Sequence, residues 1–419
     1  MPAFSFVHTS DIHLDSPFSA YSLDNPELAS AMRSATMEAY ERIIDLCMKE
    51  RVDFLLVAGD VYDGADRSLR AQVKFRDGLK RLAEAGIRSF VVHGNHDPLS
   101  GWSSSLEWPA GVHIFGDQPE AVQVMREGVS LACIEGISYR ERDERRNLAL
   151  LFERRSPEFH IGLLHANVGS ETGHEAYAPC SMEDLQKQGM DYWALGHVHQ
   201  RRVLSQDPPL IVYPGNPQGR NIRETGAKGC YLVRVGEDKE ADIEFRATDV
   251  LRWITRELGI NELRTEEDLL KALEGICLDV SRSESGRPAI VRVCLNGPGP
   301  LYKFLTNPST LPELLDILQE RGMSYTPYVW IERIETKIRP ALDLTGLMKG
   351  QDFVGKLLRY SREFSADEDF QGLATKELSA LFDDPRIRRF IDPPGTERLE
   401  TLLREAEALC VEGLQGEEG

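Results

Sequence analysis

Short unbroken apolar runs alternate with stretches of helical spacing through the first third of this chain. Phe4 to His8 predicts a strand, and Glu27 to Lys49 a helix with Leu28, Met32, Ala35, Ala39, Ile43, Leu46 and Cys47 along one face. Phe54 to Ala58 is apolar at every position, the pattern of a strand buried on both faces. A second helix, Leu69 to Ala85, stops at Gly86, and a strand from Ile87 to Val92 follows. This β-α-β-α-β order predicts a mainly parallel sheet layered by helices.

From Gly111 the rhythm shortens. Val112–Phe115, Ala121–Met125, Val129–Ile134, Phe159–Leu164 and Tyr192–Leu195 read as strands. Arg201–Ser205, Leu210–Tyr213, Gly229–Val235 and Ile243–Ala247 resemble an antiparallel meander. Two sheets packed face to face with outer helices would accommodate all of this in a first domain, residues 1–250. A smaller α/β unit is expected over 255–338. It has helices Glu266–Ile276 and Leu311–Glu320, strands Ala289–Leu295 and Tyr328–Glu335, and a turn-rich break at Asn296-Gly297-Pro298-Gly299-Pro300. Residues 345–412 read as helical, in the pieces Asp352–Phe364, Thr375–Phe382 and Glu397–Leu409. The last carries Leu399, Leu402, Leu403, Ala406 and Leu409 on one face, which suits either core or a docked partner.

Composition narrows the class. A chain of 419 residues has room for two or three domains. It holds no run of about 18 apolar residues, so no membrane span is expected. Met1-Pro2-Ala3-Phe4 enters a strand pattern without the basic head and apolar segment of a leader. Seven cysteines without a Cys-x-x-Cys pair give no disulfide or zinc-finger framework. A cytoplasmic location is the expectation. The net charge is −19, and it is spread, with 27 basic and 38 acidic residues up to 250 and 22 and 30 beyond. Such a surface argues against wrapping a polyanion, so any nucleic-acid contact has to be local. Candidate patches are Arg140, Arg142, Arg145, Arg146, Arg154 and Arg155, then Arg201 and Arg202, then Arg220 and Arg223. The first alternates with Glu141, Asp143 and Glu144, the pattern of a solvated, salt-bridged face.

Histidine is placed far less evenly: all ten lie at or before His199. Five fragments stand at the ends of apolar strands: Asp11-x-His13, Gly59-Asp60-Val61-Tyr62-Asp63, Gly94-Asn95-His96-Asp97, His165 and Gly196-His197-x-His199. Any one of these histidines alone reads best as a surface or core residue. Loops at the carboxyl ends of strands, however, are where open α/β sheets place their chemistry. Together the fragments offer oxygen and imidazole donors without thiolate, a set suited to manganese, iron or zinc. A carboxylate at Asp60 could bridge two ions about 3.5–4 Å apart.

This set resembles the calcineurin-like metallophosphoesterase superfamily, whose pattern is D-x-H, G-D-x-x-D, G-N-H-[DE], H and G-H-x-H. The resemblance covers about residues 4–250 and implies an α/β fold: a two-sheet sandwich flanked by helices, with a smaller α/β capping domain and a helical C-terminus. It assigns one metal to Asp11, His13, Asp60 and His199, and a second to Asp60, Asn95, His165 and His197. His96 would act beside the ions as the group that protonates the leaving oxygen, oriented by Asp63. Asp97 reads as a structural cap. Secondary motifs, Ser10-Asp11-Ile12-His13-Leu14-Asp15-Ser16-Pro17, His174-Glu175-Ala176-Tyr177-Ala178-Pro179 and Tyr213-Pro214-Gly215-Asn216-Pro217-Gln218-Gly219-Arg220, are similar to the SbcD-type DNA-repair nuclease branch, and Asp15 with the Gln218-Gly219-Arg220 ending resembles its YhaO-like subgroup. That branch implies a manganese-dependent 3′→5′ exonuclease with some endonuclease action. It would work as a homodimer on DNA with an SMC-type coiled-coil ATPase docked on the C-terminal helices, and Arg220 and Arg223 would meet DNA phosphates. A small-molecule phosphodiesterase or phosphatase of the same fold, and a non-catalytic scaffold, are the alternatives.

Overall fold

A computed structural model describes residues 1–16, 26–63, 68–101, 106–169, 177–341 and 344–365, with scattered positions beyond. The chain opens with β1 (Phe4–Thr9), α1 (Pro26–Glu50), β2 (Phe54–Ala58), α2 (Leu69–Glu84), β3 (Arg88–Val92) and β4 (Val112–Ile114). These four strands run parallel, with His8 opposite Leu56 and Leu56 opposite Phe90. β5 (Glu120–Arg126), β6 (Val129–Ile137), β7 (Phe159–His165), α3 (Met182–Lys187), β8 (Tyr192–Gly196), β9 (Arg202–Ser205) and β10 (Leu210–Tyr213) follow. Their strands form a second sheet in the order β5-β6-β7-β8-β10-β9. β11 (Gly229–Val235) and β12 (Ala241–Ala247) return to the first sheet, β11 lying antiparallel to β1.

The expected meander is therefore divided. β9 and β10 stay with β8, to which β10 is parallel, while β11 and β12 complete the other sheet. Burial explains the split. β11 hides both its faces and needs a place inside a sheet, whereas β12 is only half-buried and forms the edge.

Between the sheets lie Phe6, Phe54, Phe90, Phe115, Phe159 and Tyr192. Phe6 and Phe54 stack with centroids 5.0 Å apart, and Tyr192 meets Phe6 edge-on at 5.3 Å. The alternate residues Val7, Leu55, Val57 and Val91 face Ile43 of α1 and Phe75 and Leu79 of α2. That double burial is why β2 is apolar throughout. Trp193, Leu164 and Leu195 pack outward on the second sheet against Phe152 and Leu185. Each such side chain contributes about 1.5–3 kcal/mol by leaving water.

Beyond the sandwich come β13 (Arg252–Gly259), α4 (Glu266–Ser283), β14 (Ala289–Gly299), α5 (Tyr302–Leu305), α6 (Thr310–Met323) and β15 (Val329–Pro340), with a sheet ordered β13-β14-β15. β13 fills residues expected to be a boundary. β14 continues through Asn296-Gly297-Pro298, expected to be a break. Gly297 has φ +84° there, and a Cβ on it would strike the Asn261 side chain, so the glycine serves a close approach within a strand.

By packing, the chain divides into two compact units: 1–256 with 276–292 and 318–333, and 257–275 with 293–317 and the residues from 334 on. In the first, Leu28, Met32 and Ala35 pack with Leu251, Trp253, Ile290 and Trp330. Asp249 is buried between Arg252 and Arg287. In the second, α7 (Leu344–Leu347) precedes α8 (Phe353–Ser365), and Arg359 of α8 donates to the carbonyls of Met348 and Gly350. α8 takes the place of the expected helix Asp352–Phe364. The expected helices 375–382 and 397–409 lie largely outside the described residues, as do Pro17 and His174-Glu175-Ala176. Among the described residues no helix is long and apolar enough to cross a membrane.

Candidate metal centre

The carboxyl ends of β1, β2, β3, β7 and β8 converge on one rim. Past its last strand residue, the β1 loop keeps bonding to the β2 loop: Asp11 N–H donates to Gly59 O at 3.0 Å, His13 N–H to Asp60 O at 3.1 Å and Leu14 N–H to Val61 O at 2.8 Å. Asp11, His13, Asp60 and His197 all take positive φ, at 51°, 47°, 50° and 104°. That conformation costs a non-glycine residue on the order of 1–3 kcal/mol and recurs at functional sites. Two glycines leave room for it. A Cβ on Gly94 would strike Asp60 and His165, and one on Gly196 would fall on the Ala58 carbonyl.

Two groups of donors result. In one, His13 Nε2 stands 3.2 Å from His199 Nε2 and 3.9 Å from Asp60 Oδ2, and His199 Nε2 stands 3.7 Å from Asp11 Oδ1. In the other, His165 Nε2 lies 3.4 Å from Asp60 Oδ2 and 3.1 Å from Asn95 Oδ1, with His197 Nδ1 3.2 Å from that same amide oxygen. Asp60 Oδ2 belongs to both. Hydrogen bonds behind the rings turn the other nitrogens, both Nε2, inward. His165 Nδ1 donates to Ala58 O at 2.9 Å, and His199 Nδ1 donates to Glu224 Oε1 at 2.7 Å.

The donors fit divalent ions. Two lone-pair-bearing Nε2 atoms facing each other at 3.2 Å repel unless a proton or a cation lies between them. With metal–nitrogen bonds of about 2.1 Å, two ligands on one ion sit about 3 Å apart. Imidazole, carboxylate and amide oxygen without thiolate suit manganese, iron or zinc. Asp11, His13, Asp60, Asn95, His165 and His197 are all buried, where charge has to be balanced.

The electrostatics agree. Burial pushes the His13 imidazole down to about 4, with Arg220 adding to the effect, so it stands neutral and able to ligate. Burial pulls His165 the same way, but the Asp60 carboxylate overrides it and raises His165 to about 9, so without an ion a proton sits on the nitrogen facing Asp60, where a cation would replace it. Burial alone would raise Asp60; His165 and His13 outweigh it and hold the carboxyl well below its usual range. His96 is partly open to solvent, and its Nδ1 lies 3.1 Å from Asp63 Oδ1. For His96, burial is outweighed by the bond to Asp63 and the charge of Asp60, so it holds its proton more firmly than a free imidazole.

All seven expected ligands, with His96 and Asp63, thus come together. Asp97 accepts from Val61 N–H at 2.9 Å and Gly94 N–H at 2.8 Å, tying the β2 and β3 loops. Arg220, expected to meet a DNA phosphate, turns its guanidinium toward the donor groups. Its guanidinium donates to Asp63 Oδ2 at 3.0 Å and Ser16 Oγ at 3.1 Å and lies between the half-buried carboxylates of Asp63 and Glu224. Arg223 is exposed. Arg145 and Arg146 pair with Asp143 and Glu144, as their alternation suggested. Glu224 went unnoticed in the sequence. A single acid in a loop carries no periodic signal, and only its position behind His199 marks it.

Two facing sheets whose strand ends present paired carboxylate–imidazole groups define a metal-dependent phosphoesterase. Residues 4–201 match the family described as calcineurin-like phosphoesterase, and residues 253–339 match the middle domain of metallophosphoesterase YhaO. A Bacillus subtilis protein described as an uncharacterized metallophosphoesterase YhaO is 36% identical over 408 residues, 97% of this chain and 96% of that one. A DNA double-strand break repair protein Mre11 of Sulfurisphaera tokodaii is 29% identical over 278 residues, 64% of this chain and 68% of that one. Its Aeropyrum pernix namesake is 27% identical over 242 residues, 54% and 56% respectively. The chain belongs to the YhaO-like group of the calcineurin-like phosphoesterase family, which hydrolyses phosphoesters with divalent metal ions.

Proposed function

We propose that this protein is a dinuclear, manganese-dependent DNA nuclease, a 3′→5′ exonuclease with some endonuclease action, serving DNA repair. One observation carries the reading: His96, paired with Asp63, stands beside two donor groups that share Asp60. Asp11, His13, Asp60 and His199 would hold one ion, and Asp60, Asn95, His165 and His197 the other. When bound, such a pair lowers the pKa of water from 15.7 to around 7 and neutralises charge on phosphoryl oxygens. Asp60 accepts the His96 N–H at 2.9 Å and Asp11 accepts the His197 N–H at 3.1 Å, so both histidines are tied to ligand carboxylates. His96, with Nδ1 on Asp63, hands a proton to the leaving 3′-oxygen.

Relatives named for double-strand break repair support DNA as the substrate. In this reading residues 1–250 form the nuclease domain, 255–338 the capping domain, and 345–412 the segment that docks an SMC-type coiled-coil ATPase. The protein works as a cytoplasmic homodimer, and Arg223 offers a phosphate contact. The net charge of −19 favours a second reading, a small-molecule phosphodiesterase of the same fold. An intact donor set speaks against a mere scaffold. Duplex DNA labelled at the 3′ or 5′ end, incubated with and without manganese, separates these. Mononucleotide release from 3′ ends is expected. Cleavage of bis(p-nitrophenyl) phosphate with DNA left intact would favour the second reading.

A further inference from the structure

The loop between β10 and β11 joins two groups that the proposed function treats separately. Behind the ligand His199, Glu224 Oε1 accepts the Nδ1 proton at 2.7 Å. Its other oxygen accepts from Asn216 Nδ2 at 2.7 Å and from the Arg220 main-chain N–H at 2.8 Å, so the carboxylate cannot swing. The Arg220 guanidinium stands 3.8 Å from Glu224 on one side and donates to Asp63 Oδ2 at 3.0 Å on the other. Asp63 presents its remaining oxygen to His96. His199, Glu224, Arg220, Asp63 and His96 thus form one unbroken chain. Lys228, itself buried, adds a bond from Nζ to the His199 carbonyl at 2.8 Å.

Burying several charged groups side by side is unfavourable unless each finds a partner, and here each does. Such a chain specifies geometry. A ligating imidazole needs one nitrogen bare and its ring fixed, and a carboxylate on the far nitrogen achieves both. A carboxylate that orients a proton donor must likewise present one oxygen, which follows when an arginine holds the other.

We propose that Glu224 and Arg220 are positioning residues. Glu224 sets the tautomer and ring angle of His199, and Arg220 locks Asp63 to Glu224 so that His96 keeps its place relative to the donor groups. This rests on reading the donors as a two-ion site. Neither residue touches substrate.

The test is calorimetric titration of the full chain with Mn²⁺, alongside kinetics on bis(p-nitrophenyl) phosphate and DNA. Wild type is expected to take two ions. Glu224→Ala is expected to bind one of them about 10- to 100-fold more weakly, the cost of losing a hydrogen-bond partner behind a ligand. Glu224→Gln can still accept from Nδ1 but then turns its NH2 onto the donors Asn216 Nδ2 and Arg220 N–H, so it is expected to fall between Glu224→Ala and wild type. Arg220→Ala is expected to keep both ions while kcat falls about tenfold at unchanged KM, roughly the loss of one positioning contact.

Wild-type affinity for both ions in folded Glu224→Ala overturns the proposal. Should that variant fail to fold, Glu224→Asp, too short to reach Nδ1, is titrated instead, and wild-type affinity there overturns it equally. An Arg220→Ala enzyme with unchanged kcat and a raised KM for DNA makes Arg220 a phosphate contact, which also overturns it. A wild-type chain that takes no ions sinks the proposed function itself, an outcome distinct from these.

Discussion

Two buried histidines of the same segment, His8 and His13, show how differently the gap between the sheets and the rim above it are built. His8 lies in β1 with Nδ1 3.0 Å from the Tyr192 hydroxyl and Nε2 3.2 Å from the Leu195 carbonyl, so both nitrogens have partners that a neutral ring satisfies. His13, five residues on, sits at positive φ with Nε2 aimed at another imidazole. Around His8 the backbone is regular, Leu56 lies opposite it on β2 and the Tyr192 ring meets it edge-on at 5.8 Å. Around His13 are Asp11, Asp60, Asp63 and His199. Neither residue is exposed, so burial alone does not distinguish a packed histidine from a ligand. What distinguishes them is whether the lone pairs already have partners. The regular region also makes the strained one possible, since stacked strands over-determine where their loops begin.

Removing a rim ligand should break this contrast most. His199→Ala is expected to abolish phosphoester hydrolysis and to lose an ion in the same titration. Loss of activity with both ions still bound would remove His199 from the ligand set. His96→Ala is expected to keep both ions yet turn over about 10²–10⁴-fold more slowly, the usual worth of a positioned proton donor. If steady-state kinetics give it the wild-type rate, the role assigned to His96 is wrong.

A substitution in the gap should do the reverse. Phe54→Ala is expected to lower stability to urea by about 3–5 kcal/mol while the folded fraction binds ions as before. Weakened ion affinity in folded Phe54→Ala would mean that core and rim are not separable.

A further effect concerns His8 and runs with pH. Burial pushes its imidazole from 6.5 down to about 3, so the folded protein refuses a proton that the unfolded chain accepts. Its contribution is constant above pH 6.5 and erodes as the pH falls toward about 3, by at most about 1.4 kcal/mol per pH unit. Denaturation curves across that range should be flatter for His8→Gln than for wild type; equal slopes would show that His8 is not the titrating group.

Much of the site could be read along the chain because each ligand follows an apolar strand directly. The runs ending at Ala58 and Val92 announce Asp60 and Asn95, and parallel strands deliver their carboxyl ends to one side. Glu224 and Arg220 could not be read in this way. They lie in an irregular loop, and their partners His199 and Asp63 are 25 and 157 residues away. The same limit hid the neighbours of β11, since apolar spacing tells that a strand is buried but not beside which strand.

Local pattern by itself thus determined the strands, the helices and the donors at their ends, because periodicity and side-chain chemistry are properties of neighbouring residues. Only the tertiary structure decided that β11 lies against β1, that Asp60 faces both histidine groups, and that Arg220 turns inward to two carboxylates. Those outcomes depend on which buried charges and half-buried faces meet across long separations in sequence, and that is settled when the two sheets close on each other.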